Sequence, residues 1–370
     1  MKKRIIILSN SCWNLYNFRK PLIKSLKEQN LEVFCICKKD EYALQLEGIC
    51  DRLFTLDLNA TSKSIFKDFY YIIRLFLLLI RLRPKAVLSF TVKMNIYSGL
   101  LCRFLSIPHL PTISGLGSTY VSSNIYLRRG ITFLHRISLR HSKTIFFHNE
   151  TDLRTFRYFR IGHLKNYQLV AGSGVDIETF KPALREARFR NDSLQLYFIG
   201  RLIKDKGIIE YLEAAKMLSA THPNIRFNIV GKIDNDSPSA ISKKFLDNYS
   251  DHNICYHGPT EDVTRYLTYA DFVVLPSYRE GLSKLLLESS AMAIPMIASK
   301  VPGCREVVID NTTGFLCKQK NVQDLARVIV VASKASRDQK IKLGERARDL
   351  AIKQFSSQAV AKIYIAKVES

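Results

Sequence analysis

Phe272-Val273-Val274-Leu275-Pro276-Ser277-Tyr278-Arg279-Glu280-Gly281-Leu282-Ser283-Lys284-Leu285-Leu286-Leu287-Glu288 is the stretch that decides the fold. Four apolar residues in a row read as a strand buried on both faces; a polar loop with one glycine follows, and an apolar run then opens a helix. Strand, glycine turn and helix start make one limb of a βαβ unit. They aim the backbone amides of Gly281 to Lys284 and the positive end of a helix at one spot, which suits a diphosphate. Glu280 lies in the loop and Glu288 one to two turns into the helix, so the two carboxylates address different parts of an extended ligand. Carboxylates accept readily from the vicinal hydroxyls of sugars and ribose. Taken singly, Glu280 reads as well as a helix-dipole partner and Glu288 as a solvated helix residue.

A second loop favours the ligand reading. Gly200-Arg201-Leu202 follows a strand that ends at Ile199, and Lys206-Gly207 begins the next helix. Two cations five residues apart in such a loop clamp one diphosphate and neutralise the charge that grows on it as it departs. Both loops leave the carboxyl ends of strands of one sheet, where open α/β sheets bind ligands.

The same alternation runs along the chain. Residues 4–9, 32–37, 86–90, 111–113, 144–148 and 167–170 read as strands, with helices at 18–29, 65–83, 96–105, 125–140 and 150–159 between them. The second half repeats the plan, with strands at 195–199, 226–230, 254–257, 272–275, 296–298 and 314–316 and helices at 207–218, 263–269 and 285–293. The fold class is therefore α/β, with two doubly wound Rossmann-like domains facing across a cleft. The expected division is 1–175, 176–352 and a terminal helix at 353–370 that returns to the first domain. The punctuation at Gly172-Ser173-Gly174 and Lys181-Pro182 marks the boundary.

At 370 residues with 47% hydrophobic and 24% charged residues, the chain has material for two cores, which excludes a disordered protein. Its net charge of +23 is lopsided: residues 1–172 carry 27 Lys and Arg against 10 Asp and Glu, residues 173–370 only 29 against 23. Such a surface implies an anionic partner. Cysteines 12, 35, 37, 50, 102, 255, 304 and 317 are scattered, mostly in apolar runs, as in a protein of a reducing cytoplasm. Neither Cys35-x-Cys37 nor Asp234-Asn235-Asp236, which reads as a turn, implies a metal. Residues 5–8 form too short an apolar run for a signal peptide, and residues 69–82, broken by Arg74 and Arg81, too short a run to span a bilayer.

Taken together, the Gly-Arg-Leu…Lys-Gly loop, the two glutamates eight apart, and Val301-Pro302-Gly303-Cys304-Arg305-Glu306-Val307-Val308 with Thr313-Gly314-Phe315-Leu316 resemble family 4 of the retaining GT-B glycosyltransferases. First-half pieces extend the resemblance: Trp13-Asn14-Leu15-Tyr16-Asn17-Phe18-Arg19, Phe90-Thr91-Val92-Lys93-Met94-Asn95-Ile96-Tyr97, Ser114-Gly115-Leu116-Gly117, Phe147-His148-Asn149-Glu150 and Gly172-Ser173-Gly174-Val175-Asp176. These are similar to the branch that extends undecaprenyl-diphosphate-linked sugars for O-antigen, capsule and related glycans. The resemblance implies a UDP-sugar donor, with Arg201 and Lys206 on its diphosphate, Glu280 on the transferred sugar and Glu288 on the ribose. Gly200, Gly281, Leu282, Ser283 and Leu285 would complete the donor site, Gly281 to Ser283 through their amides. On the acceptor side it implies Asn17, Phe18, Arg19, Lys93, Asn95, Gly115 and Gly117. The nucleotide sugar is a substrate, and neither metal nor other cofactor is expected. The sequence departs from many relatives in having no glycine between Ser9 and Phe18 and no histidine near residues 90–93; His109 reads as structural.

Two basic amphipathic stretches bear on location. Residues 62–85 place Phe66, Phe69, Tyr70, Ile73 and Leu77 beside Lys63, Lys67, Arg74, Arg81 and Arg83. Residues 125–143 place Phe133, Leu134 and Ile137 beside Arg128, Arg129, Arg136, Arg140 and Lys143. Each reads either as a core-packed helix with a solvated basic face or as a helix lying on an anionic bilayer; the charge of the first half favours the second. Peripheral attachment to the inner face of a bacterial cytoplasmic membrane is the expectation, with a lipid-linked saccharide as acceptor. A non-hydrolysing nucleotide-sugar epimerase would suit the same fold. A nucleic-acid binder is disfavoured, because no RNA-binding aromatic motif, helix-turn-helix or Cys/His module is present.

Overall fold

A computed structural model describes residues 2–57, 65–116, 125–182, 193–234, 237, 239–249 and 253–370. The chain divides into two compact units: Met1–Ser173 with Ser357–Ser370, and Gly174–Ser356.

The first unit is built on β1 (Arg4–Leu8), β2 (Glu32–Cys37), β3 (Arg52–Thr55), β4 (Ala86–Phe90), β5 (His109–Ile113), β6 (Ile145–Phe147) and β7 (Tyr167–Leu169). All pairings are parallel, in the order β3-β2-β1-β4-β5-β6-β7. Alternation along β1 splits the core. Ile5 and Ile7 pack with the helix Cys12–Glu28 and with Tyr364 of the terminal helix Ser357–Glu369, whereas Ile6 and Leu8 pack with Leu75 and Leu79 of Ile65–Leu82 and Met94 of Val92–Phe104.

Sequence reading starts the first helix at 18; it starts at Cys12, because Ser11 caps it by accepting from the amide of Asn14. Asn17 is therefore a helical residue, like Phe18 and Arg19. The strand β3 and the short helix Ala43–Glu47 are additions to the expected list. Four residues, two of them polar, give β3 too little period-2 signal to stand out.

The second unit contains β8 (Leu194–Ile199), β9 (Ile225–Val230), β10 (Ile254–Tyr256), β11 (Phe272–Leu275), β12 (Met296–Ser299) and β13 (Gly314–Cys317), again all parallel, in the order β10-β9-β8-β11-β12-β13. In each unit the strand order reverses between two adjacent strands: β1 and β4 in one, β8 and β11 in the other. At such a switch point the loops after the two strands diverge and leave a crevice for a ligand.

Candidate active site

The loops singled out in the sequence leave β8 and β11, the two strands that flank the switch point of the second unit. Glycine makes their close approach possible. A Cβ on Gly207 would lie 2.1 Å from the carbonyl oxygen of Pro276, and one on Gly231, in the loop after the neighbouring β9, 1.7 Å from that of Gly200. Gly207, at φ +77°, ends the 3₁₀ turn Lys204–Lys206 and opens the helix Ile208–Ser219.

Polar contacts pin one loop to the other. Lys206 Nζ donates to Glu280 Oε1 at 2.6 Å, and the buried Ser277 hydroxyl donates to the same oxygen at 2.7 Å and lies 3.0 Å from the carbonyl of Asp205. The Tyr278 amide donates to that carbonyl at 2.8 Å, and its hydroxyl donates to the buried Glu210 at 2.7 Å. Lys206 and Glu280 thus form a neutral, partly buried pair, each holding the other in position.

A third segment fixes the turn from below. Pro302 and Gly303 carbonyls accept from the amides of Glu280 and Ser283, each at 3.1 Å. Gly303 sits at φ +82°, where an added Cβ would fall 2.5 Å from Glu280 backbone atoms. This corrects the expectation that Gly281 to Ser283 all offer amides to a ligand: the Ser283 amide is occupied by Gly303. The Ser283 side chain caps the helix Lys284–Ala291 through the Leu286 amide. The amide of Leu285 in the first turn has no intrahelical acceptor, as first-turn geometry dictates. Sequence reading missed the parts played by Ser277, Tyr278, Glu210 and Gly303; the Val-Pro-Gly segment was visible, but nothing in it says which loop it supports.

Glu288 is buried, with its carboxylate 3.4 Å from Lys284 Nζ, which rules out the solvated-helix reading. Burial raises its pKa, and Lys284 opposes the shift. Arg201 is exposed and donates to Asp234 at 2.9 Å. Asp234, read from sequence as a turn residue, is the counter-charge of Arg201; Asn235 and Asp236 lie outside the described residues. No cluster of His, Cys, Asp or Glu fit to hold a metal occurs among the described residues.

Of the acceptor-side candidates, Lys93 pairs with Asp68 at 3.1 Å. Asn95 is fully buried: it accepts from Ser89 Oγ at 2.8 Å and donates to the Thr112 carbonyl at 2.9 Å. Its amide group thus ties β4 to β5, and the residue also lines a cavity between Thr91, Thr112 and Gly115. Asn17 donates to the Trp13 carbonyl, and Phe18 packs edge-on against Trp13. Gly115 lines a cavity of about 150 Å³ with Thr91, Thr112 and Phe156, and Gly117 lies outside the described residues. Arg19 is buried over the Phe90 ring. His109 lies between the hydroxyls of Ser89, Ser98 and Ser142, and burial lowers its pKa to about 3, as befits a neutral structural histidine.

Comparison with known proteins adds an independent line. Residues 180–350 match the family model described as glycosyl transferases group 1, and residues 4–149 the model described as glycosyl transferase 4-like. The chain is 29% identical, over 98% of its length and 97% of the relative's, to N,N'-diacetylbacillosaminyl-diphospho-undecaprenol alpha-1,3-N-acetylgalactosaminyltransferase of Campylobacter jejuni. It is 23% identical to the capsular polysaccharide biosynthesis glycosyltransferase CapM of Staphylococcus aureus over 51% of each chain. Among solved structures, a glycosyltransferase of Rickettsia africae superposes with a TM-score of 0.79 at 17% identity, covering 100% of this chain and 98% of that one. The Anabaena protein HepE in complex with UDP and glucose superposes with a TM-score of 0.80 at 14% identity, covering 99% of both.

Proposed function

The chain belongs to the family 4 glycosyltransferases of the GT-B fold, and on that premise we propose that it moves a hexose or N-acetylhexosamine from a UDP-sugar to a polyprenyl-diphosphate-linked saccharide, with retention at the anomeric carbon, in the assembly of a bacterial surface glycan. The observation that carries the reading is the Lys206–Glu280 pair at the switch point between β8 and β11.

A donor entering this site exchanges one set of partners for another. Lys206 passes from the Glu280 carboxylate to the diphosphate, and Glu280, still held by Ser277, accepts from hydroxyls of the transferred sugar. Arg201 exchanges its exposed Asp234 for phosphate at little cost, since an exposed ion pair contributes about 0–1 kcal/mol. Glu288 receives the ribose hydroxyls. As the bond from the anomeric carbon to phosphate oxygen breaks, Lys206 and Arg201 stabilise the charge left on the diphosphate. The acceptor oxygen bonds to the same face of the sugar, and its proton passes to the departing phosphate.

Attachment to an anionic bilayer brings the enzyme to a lipid-linked acceptor. Supporting it, Phe66 and Tyr126 are 86% and 80% exposed, and Phe69, Tyr70, Ile73, Leu77, Leu127 and Phe133 are exposed on the same two helices, Ile65–Leu82 and Ile125–Ser138. No helix among the described residues is long and apolar enough to cross a membrane. Binding to anionic vesicles is expected to fall steeply as salt rises from 0.05 to about 0.5 M. Vesicle binding indifferent to salt would contradict the electrostatic part.

The direct test incubates the protein with a panel of nucleotide sugars and polyprenyl-diphosphate-linked saccharides and weighs the lipid product by mass spectrometry. One added hexose or N-acetylhexosamine is expected. Conversion of the nucleotide sugar with no acceptor present would identify an epimerase instead.

A further inference from the structure

Tyr278 stands two residues before Glu280 in the loop after β11, and three separate segments hold it. Its amide donates to the carbonyl of Asp205, in the turn after β8, at 2.8 Å. Gln319 and Lys320 reach it from the segment after β13: the Gln319 side-chain amide donates to the Tyr278 carbonyl at 2.8 Å, and Lys320 Nζ lies 4.5 Å from the centre of its ring. The hydroxyl donates to Glu210 Oε1 at 2.7 Å, as short as a bond to a carboxylate should be. Burial first, and then Glu210, raise the Tyr278 pKa, so the hydroxyl keeps its proton and remains a donor.

Glu210 is the less expected partner. It lies in the first turn of Ile208–Ser219, is only 7% exposed, and its Oε2 has no hydrogen-bond partner. The positive end of the helix favours an acid there, but an unpartnered buried oxygen is costly. A Phe and Leu of similar shape would fill the space without that cost, since apolar replacement of a buried polar pair is often neutral or stabilising. Stability alone therefore does not account for the bond. What the bond adds over an apolar contact is direction. It ties the loop that bears Glu280 to the helix that opens immediately after Lys206-Gly207.

We infer that Tyr278 is a positioning residue for Glu280, with Glu210 as its acceptor: the bond between them fixes where Glu280 stands beside Lys206 and where it meets the transferred sugar. The catalytic meaning rests on the proposed transferase reading; the restraint on the loop does not.

Tyr278→Phe removes the hydroxyl, Glu210→Leu removes the acceptor, and the double variant removes both without stranding either. Glu210→Gln keeps an acceptor. Thermal midpoints and steady-state kinetics are measured on all four, together with hydrogen exchange of the peptide spanning 276–283, the last without substrate. The double variant is expected to melt at or above wild type, yet to show a kcat about tenfold lower with the donor KM within threefold. Glu210→Gln is expected to recover most of the kcat that Glu210→Leu loses. Exchange in 276–283 should quicken at least tenfold in the double variant. A kcat within twofold of wild type in the double variant overturns the inference, as does a loss in Glu210→Gln equal to that in Glu210→Leu. A lowered midpoint with kcat and KM worsened together marks a merely structural role and overturns it too. Should wild type transfer no sugar while exchange quickens as expected, the transferase reading fails and the restraint on the loop stands. Unchanged exchange removes the restraint even where wild type is active.

Discussion

The two switch points share a topology and differ in their electrostatics. In the second unit, the loops after β8 and β11 bring opposite charges together, and Lys206, Glu280 and Ser277 satisfy one another. In the first unit, the helix after β1 brings Arg19 over the residue that ends β4, and among the described residues no ion pair includes it. The contrast teaches that strand order creates the crevice but not its chemistry. A neutral pair is a site that a ligand must open, and is rigid until it does so. A cation held over an aromatic face has only part of its burial compensated, and it is maintained at some expense in stability.

Changes to the pair in the second unit should have the largest effect. Glu280→Gln and Lys206→Ala are each expected to lower kcat by about 10²–10³-fold, the usual consequence of removing a preorganised electrostatic group. Steady-state kinetics with circular dichroism as a folding control decides it; kcat within threefold of wild type would take the residue out of the mechanism. Next comes the support below the turn. Gly303→Ala puts a Cβ into the Glu280 backbone at a positive φ, and about 2 kcal/mol or more of stability should be lost, seen as a lower urea midpoint. An unchanged midpoint would show that the turn does not depend on Gly303.

Acid should separate the units in the other direction. His109 and His135, with pKa values lowered to about 3 and about 4, and His148, whose pKa burial and the charge of Arg19 lower well below the usual value, are all buried in the first unit. A histidine whose folded pKa lies below its unfolded value costs nothing above about pH 6.5 and destabilises progressively as pH falls toward the folded value, by about 2 kcal/mol at pH 5 for His109 alone. The one tryptophan, Trp13, lies in this unit, so its fluorescence should report an acid transition ahead of the far-ultraviolet circular dichroism of the whole chain. Coincident transitions would contradict this.

The smallest effect concerns Glu288. Its raised pKa means that stability declines as pH rises from the unfolded carboxylate value through the folded one. Glu288→Gln should therefore flatten that slope, while weakening nucleotide binding roughly tenfold if the carboxylate holds ribose. Destabilisation with unchanged nucleotide affinity would assign Glu288 to packing alone.

Most of the sheet could be read from the sequence because strands buried on both faces are continuous apolar runs, as at 32–37, 86–90 and 272–275. The edge strand β3 could not, and neither could the six extra residues at the start of the first helix, which begins at the Ser11 cap. The loops of the candidate site announce themselves by glycine and charge, and the juxtaposition of Lys206 with Glu280 follows once β8 and β11 are neighbours. What stayed hidden depends on contacts between residues far apart in sequence: Gly303 taking the Ser283 amide, Asn95 joining two strands, Asp234 facing Arg201. The seat of Arg19 over the Phe90 ring was equally invisible, since it depends on two residues far apart in sequence.

The central claim is that the second unit grips a diphosphate with Lys206, and nucleotide binding tests it without any acceptor. Calorimetric titration of UDP and UMP into wild type and K206A compares one phosphate with two on the same nucleoside. The account predicts that wild type prefers UDP by about tenfold or more and that K206A loses most of this preference. An equal preference for UDP in both proteins would contradict it.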